Sequence, residues 1–250
     1  MLNNFTEIIE KITLKEKHNF EIDMHSHILP NLDHGPSDID ISVEICKVIK
    51  HLGVNKIIIT PHVMNGFYEN SNEIILQKTS DLQKKLLEAE VGLKLKAAAE
   101  YYVDDNFFGI LKRNGKLLTL DENFNYLLIE APLLSGFDFL KYTVERLKIF
   151  GYVPVLAHTE KYNSVFEDAS KLFMLKKMGL KFQTDLISTF PNAPKSKKEN
   201  LSFLIDNDLI DFVGSNVHSL GQCDDLLTYK NHNQLDKLLK ISKKNQLLDF

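Results

Sequence analysis

The sequence predicts an α/β fold in which seven parallel strands close into a barrel or distorted barrel, with one extra helix ahead of the first strand. Three observations carry this. Short apolar runs alternate with longer amphipathic stretches along the chain, the pattern of repeated strand–helix units that build a parallel sheet. Several of those stretches end in glycine just before the next run, at Gly53, Gly151 and Gly179, where a left-handed residue would cap a helix. The length, 250 residues, is ordinary for an α/β barrel formed as one domain. An open doubly wound sheet meets the same pattern and is the alternative.

The elements follow in order. Over residues 1–19, Phe5, Ile8, Ile9 and Ile12 recur at helical spacing, predicting an amphipathic helix that packs on the barrel or on a partner. Residues 20–250 are then a single domain, with no repeat, low-complexity tract or Pro/Gly-rich linker to divide it. Short apolar runs predict strands over 20–24, 56–60, 93–98, 126–129, 153–157, 181–184 and 211–213. Helical periodicity places helices near 38–52, 71–90, 104–114, 137–150, 166–178, 195–207 and 223–244.

Composition narrows the function. Hydrophobic residues make up 44% and charged residues 26%, which suits a globular protein with a sizeable core. The net charge is -4, and lysines scattered along the chain form no basic stripe for nucleic acid. No apolar run reaches membrane-spanning length. The N-terminus mixes charged with apolar residues, unlike a signal peptide, so a cytoplasmic location is expected. Cys46 and Cys223 make neither a disulfide framework nor a zinc ribbon, and no arginine follows either at the spacing of a cysteine-based phosphatase loop. Gly109 to Lys116 lacks the spacing and the Ser/Thr of a phosphate loop and is expected to be a helix end and turn.

The informative pattern is where histidines and acids fall. His25 and His27 follow the first predicted strand, with His34 nearby. His62 follows the second, Glu100 the third, Glu130 the fourth and His158 the fifth, while Asn216 and His218 follow the seventh. A histidine beside a strand is ordinarily a packed or surface residue. Six of the nine histidines at strand C-termini are different, because a parallel barrel brings all those termini to one mouth, where barrel active sites form. Imidazoles and carboxylates together bind zinc, manganese or iron. Alternation along an extended chain puts His25 and His27 on one face. Phe67, Tyr68, Tyr101 and Tyr102 lie near the same mouth, either as packing residues or as a stacking surface for an aromatic substrate.

These residues sit in DMHSHILPNLDHG, TPHVMNGFYEN, AAAEYYVDDNF, LLIEAP and GYVPVLAH. The segments resemble the PHP (polymerase and histidinol phosphatase) superfamily. More closely, they resemble the manganese-dependent bacterial tyrosine phosphatases encoded beside capsule and exopolysaccharide kinases. The similarity runs from about residue 21 to 220. It implies a distorted seven-stranded barrel of PHP type holding up to three ions, manganese first, with iron or zinc chemically suited. It maps the metal positions onto His25, His27, His34, His62, Glu100, Glu130, His158, Asn216 and His218, and assigns catalysis to His218, Lys161 and Glu130. His218 or another imidazole at the mouth would protonate the departing phenolate. The implied substrate is a phosphotyrosine protein, most directly a bacterial tyrosine kinase.

Three positions depart from the family pattern. His34 stands where a second acid precedes Gly35, Lys161 where an arginine follows the His-x-Glu, and Asn216 where an aspartate is usual. An amide oxygen is a poorer ligand than a carboxylate for a catalytic transition metal. Asp185, just past the sixth strand where the family more often has asparagine, is either the replacement for that lost carboxylate or an ordinary cap or surface acid. Two other functions stay open on these grounds: a small-molecule phosphatase of the histidinol-phosphate type, and a non-catalytic relative that binds phosphoprotein.

Overall fold

The computed structural model describes residues 20–113, 115–228 and 233–248; the expected helix over 1–19 lies outside them. The fold is α/β with a curled, wholly parallel sheet. Strands β1 (Ile22–Asp23), β2 (Lys56–Ile59) and β4 (Lys94–Ala97) pair in that order. Strands β3 (His62–Val63), β5 (Glu100–Tyr102), β6 (Tyr126–Glu130), β7 (Val153–Leu156), β8 (Lys181–Asp185) and β9 (Phe212–Gly214) pair in a second run.

The predicted strands over 56–60 and 93–98 are therefore each followed by a further short strand. The cause is local. Pro61 has no N–H to give a ladder, so pairing lapses between β2 and β3. The chains still run together: Ala98 N–H donates to Ile59 O at 2.8 Å and Glu100 N–H to Pro61 O at 3.0 Å.

Helices α1 (Ile39–His51), α2 (Asn72–Glu88), α3 (Asp105–Lys112), α4 (Phe137–Ile149), α5 (Asn163–Phe166), α6 (Ala169–Met178) and α7 (Lys195–Asp206) lie between strands. The predicted helix over 223–244 appears as α8 (Leu220–Thr228) and α9 (Asn233–Ile241), with 229–232 outside the described residues. Gly53, Gly151 and Gly179 have φ of 94°, 80° and 103°, the left-handed turn that ends a helix. Gly109 to Lys112 closes α3, as the reading of that segment as a helix end expects.

Strand alternation sorts two cores. Ile57, Ile59, Leu127, Ile129, Leu156 and Val213 pack outward under the helices. Ile58, Leu128, Val155 and Phe212 point inward with Met24 and Ala98, and Leu248 joins them. Where 115–122 passes the start of β6, Leu120 N–H donates to Tyr126 O at 2.8 Å. There the Asp121 carboxylate accepts from the N–H groups of Asn123, Phe124 and Tyr126.

The two ends of the sheet meet without a regular ladder. Past the strand ends, Asn216 N–H donates to His25 O at 2.8 Å and His27 N–H to Val217 O at 3.0 Å. Lower down, the Asn245 side chain stands where ladder bonds would be. It accepts from Val213 N–H at 3.0 Å and donates to Ile22 O at 2.8 Å and Val213 O at 2.6 Å. Asn245 is fully buried, so its removal strands three backbone groups, each costing about 1–3 kcal/mol. Asn245→Ala is expected to lower stability by ~3 kcal/mol or more, read as a shifted urea midpoint; an unchanged midpoint would refute this role.

Candidate metal centre

Every site residue expected from the sequence reaches one mouth, at the C-terminal ends of the strands. His34, His62, Glu100, Glu130, His158, Lys161, Asn216 and His218 line a pocket of about 180 Å³, with Met64 and Tyr68 completing its wall. His25 and His27 are buried against it and touch Glu100.

Glu100 is the hub. Its Oε2 lies 3.3 Å from His25 Nε2, 3.2 Å from His27 Nε2 and 3.1 Å from His62 Nδ1, and its Oε1 lies 3.0 Å from His158 Nε2. Glu130 approaches His158 at 3.3 Å and His62 at 3.7 Å. Ligand atoms cluster tightly in three overlapping groups: His25–His27–Glu100, His62–Glu100–Glu130 and His27–His62–His218. His34 joins through its ring, 4.2 Å from that of His218 and 5.0 Å from that of His62.

Partners behind the rings fix which nitrogen faces inward. The Gln183 amide is oriented unambiguously: its oxygen accepts from His158 N–H at 2.8 Å, and its nitrogen donates to Thr184 O and Asp185 Oδ1. The same oxygen lies 3.0 Å from His25 Nδ1, so that nitrogen carries the proton. Asp33 Oδ2 accepts from His27 Nδ1 at 2.7 Å, and Asn216 O from His218 Nδ1 at 2.9 Å. In all three rings Nε2 is left for the pocket, the arrangement that orients metal-ligating imidazoles.

Asp33 and Gln183 are not among the site residues expected from the sequence. Asp33 also accepts from His62 N–H and Gly35 N–H. In Lys181–Asp185, Gln183 alternates onto the same face as Asp185, which by itself does not mark it as an imidazole's partner.

Electrostatics separates the rings. Burial lowers His62 to about 4 against the pull of Glu100. Burial, helped by His27 and His34, takes His218 down to about 2. His34 is lowered by burial and His27. These rings are held neutral, the state a ligand needs. Burial works against charge on His27 and His158 too, but carboxylates win and raise both to about 9: Asp33 and Glu100 around His27, Glu100 and Glu130 around His158. Glu100, whose burial alone would raise it, is pulled well below the carboxylate range by His25 and His62.

The donor set fits a divalent cation. Asn216 Oδ1 and His218 Nε2 are among the buried atoms of pocket residues that lack a hydrogen-bond partner, where buried polar atoms are nearly always paired. Both are Lewis bases. Imidazoles beside carboxylates suit manganese, iron or zinc alike, and His27 and His158 would release a proton on binding a cation.

Backbone geometry at the rim is unusual in two places. His158 and Asn216 adopt φ of 37° and 54°, a left-handed conformation uncommon outside glycine and found at functional sites.

Asp185 is not at the pocket. It is fully buried behind Asn216, its Oδ2 accepting from Asn216 Nδ2 at 2.8 Å and lying 3.8 Å from Lys161 Nζ. Neither expectation for Asp185 fits this placement: it is fully buried with no side-chain capping bond, so it is not a cap or surface acid, and its carboxylate is held by the Asn216 amide rather than lining the pocket. Of the aromatics, Tyr68 stacks on His62 at the pocket wall with centroids 5.5 Å apart. Tyr101 is buried and its hydroxyl accepts from Leu118 N–H, a packing role. Cys46 and Cys223 are both buried. Among the described residues no helix is long and apolar enough to cross a membrane.

Residues 21–245 match the family described as capsular polysaccharide synthesis, CpsB/CapC. The chain is 31% identical over 199 residues to the tyrosine-protein phosphatase YwqE of Bacillus subtilis (strain 168), spanning 80% of this chain and 78% of that protein. It is 26% identical over 204 residues to the tyrosine-protein phosphatase CpsB of Streptococcus agalactiae serotype III (strain NEM316), spanning 80% and 83%. A solved structure from work on YwqE and on CpsB of Streptococcus pneumoniae, described as unique metal-dependent tyrosine phosphatases, superposes with a TM-score of 0.73. It covers 89% of this chain and 92% of its own at 26% identity. With a parallel curled sheet, a mouth of imidazoles and carboxylates, and a match across 21–245, the chain belongs to the CpsB/CapC capsular polysaccharide synthesis family.

Proposed function

We propose that the chain is a metal-dependent protein-tyrosine phosphatase acting on a bacterial tyrosine kinase of a capsule or exopolysaccharide system. The supporting observation is the cluster around Glu100, in which four imidazoles from three parts of the chain meet one carboxylate. His25, His27, His34, His62, Glu100, Glu130, His158, Asn216 and His218 would hold up to three ions, manganese in preference to iron or zinc. When bound, divalent ions there supply charge for phosphate oxygens and acidify an attacking water.

The chain's own residues do the rest. Lys161, on the pocket wall, offers an ammonium to phosphate oxygens, as a point charge rather than arginine's fork. Glu130, less buried than Glu100, faces the incoming water. Tyr68 offers its ring to the substrate's phenyl group. His218 was the expected proton donor to the phenolate. Its burial, which keeps the ring neutral, favours a ligand role, and a phenolate with a pKa near 10 needs less protonation than an alkoxide. The remaining expectations are part of this proposal: residues 20–250 as one distorted seven-stranded barrel domain of PHP type, in the cytoplasm.

Phosphate release from a phosphotyrosine peptide, with manganese and with chelator, tests the proposal. Release falling at least ~100-fold on chelation is expected, since the acidified water is lost. A chelator-insensitive rate would overturn it. Faster turnover of histidinol phosphate at equal enzyme would move the assignment to small molecules. No turnover in excess manganese, together with tight peptide binding, would leave the non-catalytic reading that Asn216 motivates.

A further inference from the structure

Asn216 and Asp185 present an arrangement that a simple ligand substitution does not produce. The Asn216 side chain is 3% exposed and Asp185 is fully buried. Carboxylate oxygens only accept hydrogen bonds, so the 2.8 Å contact with Asp185 Oδ2 requires the nitrogen of the Asn216 amide. The oxygen must then point the other way. It does: Asn216 Oδ1 has no hydrogen-bond partner and belongs to a pocket-lining residue.

Asp185 is itself held. Its Oδ1 accepts from Gln183 Nε2 at 3.0 Å, and its backbone N–H donates to Glu160 Oε1 at 3.2 Å. Through Gln183 the same network reaches His25 Nδ1. Lys161 Nζ lies 3.8 Å from the carboxylate oxygen that holds the amide.

We propose that Asp185 is a positioning residue that locks the Asn216 amide with its oxygen toward the metal pocket, making 185 and 216 one acid–amide unit. The inference rests on the metal-dependent reading of the site. Two consequences follow that a lost ligand would not give. Restoring a carboxylate alone, by Asn216→Asp, sets two acceptor-only groups face to face in a buried site, with the Lys161 ammonium a neighbouring donor 3.8 Å from Asp185 Oδ2. Replacing Asp185 by Asn frees the Asn216 amide, because an amide at 185 can either donate or accept. Exchanging both residues restores one donor against one acceptor.

The experiment compares the unaltered chain with Asp185→Asn, Asn216→Asp and the double exchange. Two quantities are read: the unfolding temperature in chelator, and the manganese dissociation constant by titration calorimetry. Asp185→Asn is expected to weaken manganese binding ~10-fold or more, as loss of an outer partner does. Asn216→Asp is expected to lower the unfolding temperature in chelator by ~4 °C or more. The double exchange should recover both, to within about threefold in affinity and most of the temperature loss. Losses in the double exchange that simply add would overturn the proposal. So would manganese affinity unchanged within twofold in Asp185→Asn, or no manganese binding by the unaltered chain. Neither readout requires turnover, so failure of the phosphatase reading, seen as no phosphate release, is distinguished from failure of this one.

Discussion

Glu100→Gln is expected to reduce phosphotyrosine hydrolysis by ~10³-fold while leaving the fold intact. The side chain keeps its size, so packing around it need not change. One carboxylate oxygen becomes a donor, in a position where four imidazole nitrogens lie within 3.3 Å of the two oxygens. Removing the shared negative charge leaves those rings without their counterpart in a buried place. Losing one preorganised charged group from a water-excluded site costs about 3–4 kcal/mol of transition-state stabilisation, and ~4 kcal/mol is a thousandfold in rate. The measurement pairs phosphate release with the metal content of the purified protein. Activity within tenfold of the unaltered chain, at full metal content, would remove Glu100 from the centre. Glu130 is the contrast. It touches two imidazoles rather than four and is less buried, so Glu130→Gln should retain more metal than Glu100→Gln.

The parts of this molecule that were legible in the sequence are those set by local periodicity. Alternation of Ile57, Ile58 and Ile59 between two cores is a property of any extended strand, and the glycines at 53, 151 and 179 mark their turns without help from the rest of the fold. Parallel topology then did the longer-range work. Once strands run one way, residues at their C-termini must share a mouth, which is why His25, Glu100, His158 and His218 meet although far apart in sequence. The interruptions at Thr60–Pro61 and Ala98–Ala99 were less legible, since strand pairing there depends on neighbours across the sheet.

What stayed hidden was the layer behind the ligands. Gln183 and His25 are 158 residues apart, and nothing in the local sequence marks a glutamine as an imidazole's partner. Asp33 was overshadowed by His34, its more conspicuous neighbour. Asp185 was noticed, but its distance from the pocket is decided by one intervening amide. Asn245, in a run of lysines and leucines near the C-terminus, carries no sign that it bridges the first and last strands. These contacts depend on how the sheet closes, and closure is a tertiary property.

Closure also sets the second large effect. Gly214→Ala is expected to lower stability by about 3 kcal/mol and to weaken manganese binding at the same time. The added Cβ would stand 2.4 Å from His25 Cβ, 3.1 Å from His25 N and 3.2 Å from His25 Cα. Two of these are backbone atoms, so no rotamer change relieves the overlap. The strands cannot simply part, because Ser215 N–H donates to Asp23 Oδ1 at 2.8 Å and Asn216 N–H to His25 O at 2.8 Å. Overpacking of a rigid site costs 1–3 kcal/mol and occasionally more, and here the displaced residue is a proposed ligand. The urea midpoint and the manganese titration should therefore fall together, whereas Asn245→Ala, acting lower in the same seam, should reduce the midpoint with a smaller loss of affinity. Gly214→Ala with an unchanged midpoint would mean that β9 has room to move away from β1. The close approach would then not be what fixes His25.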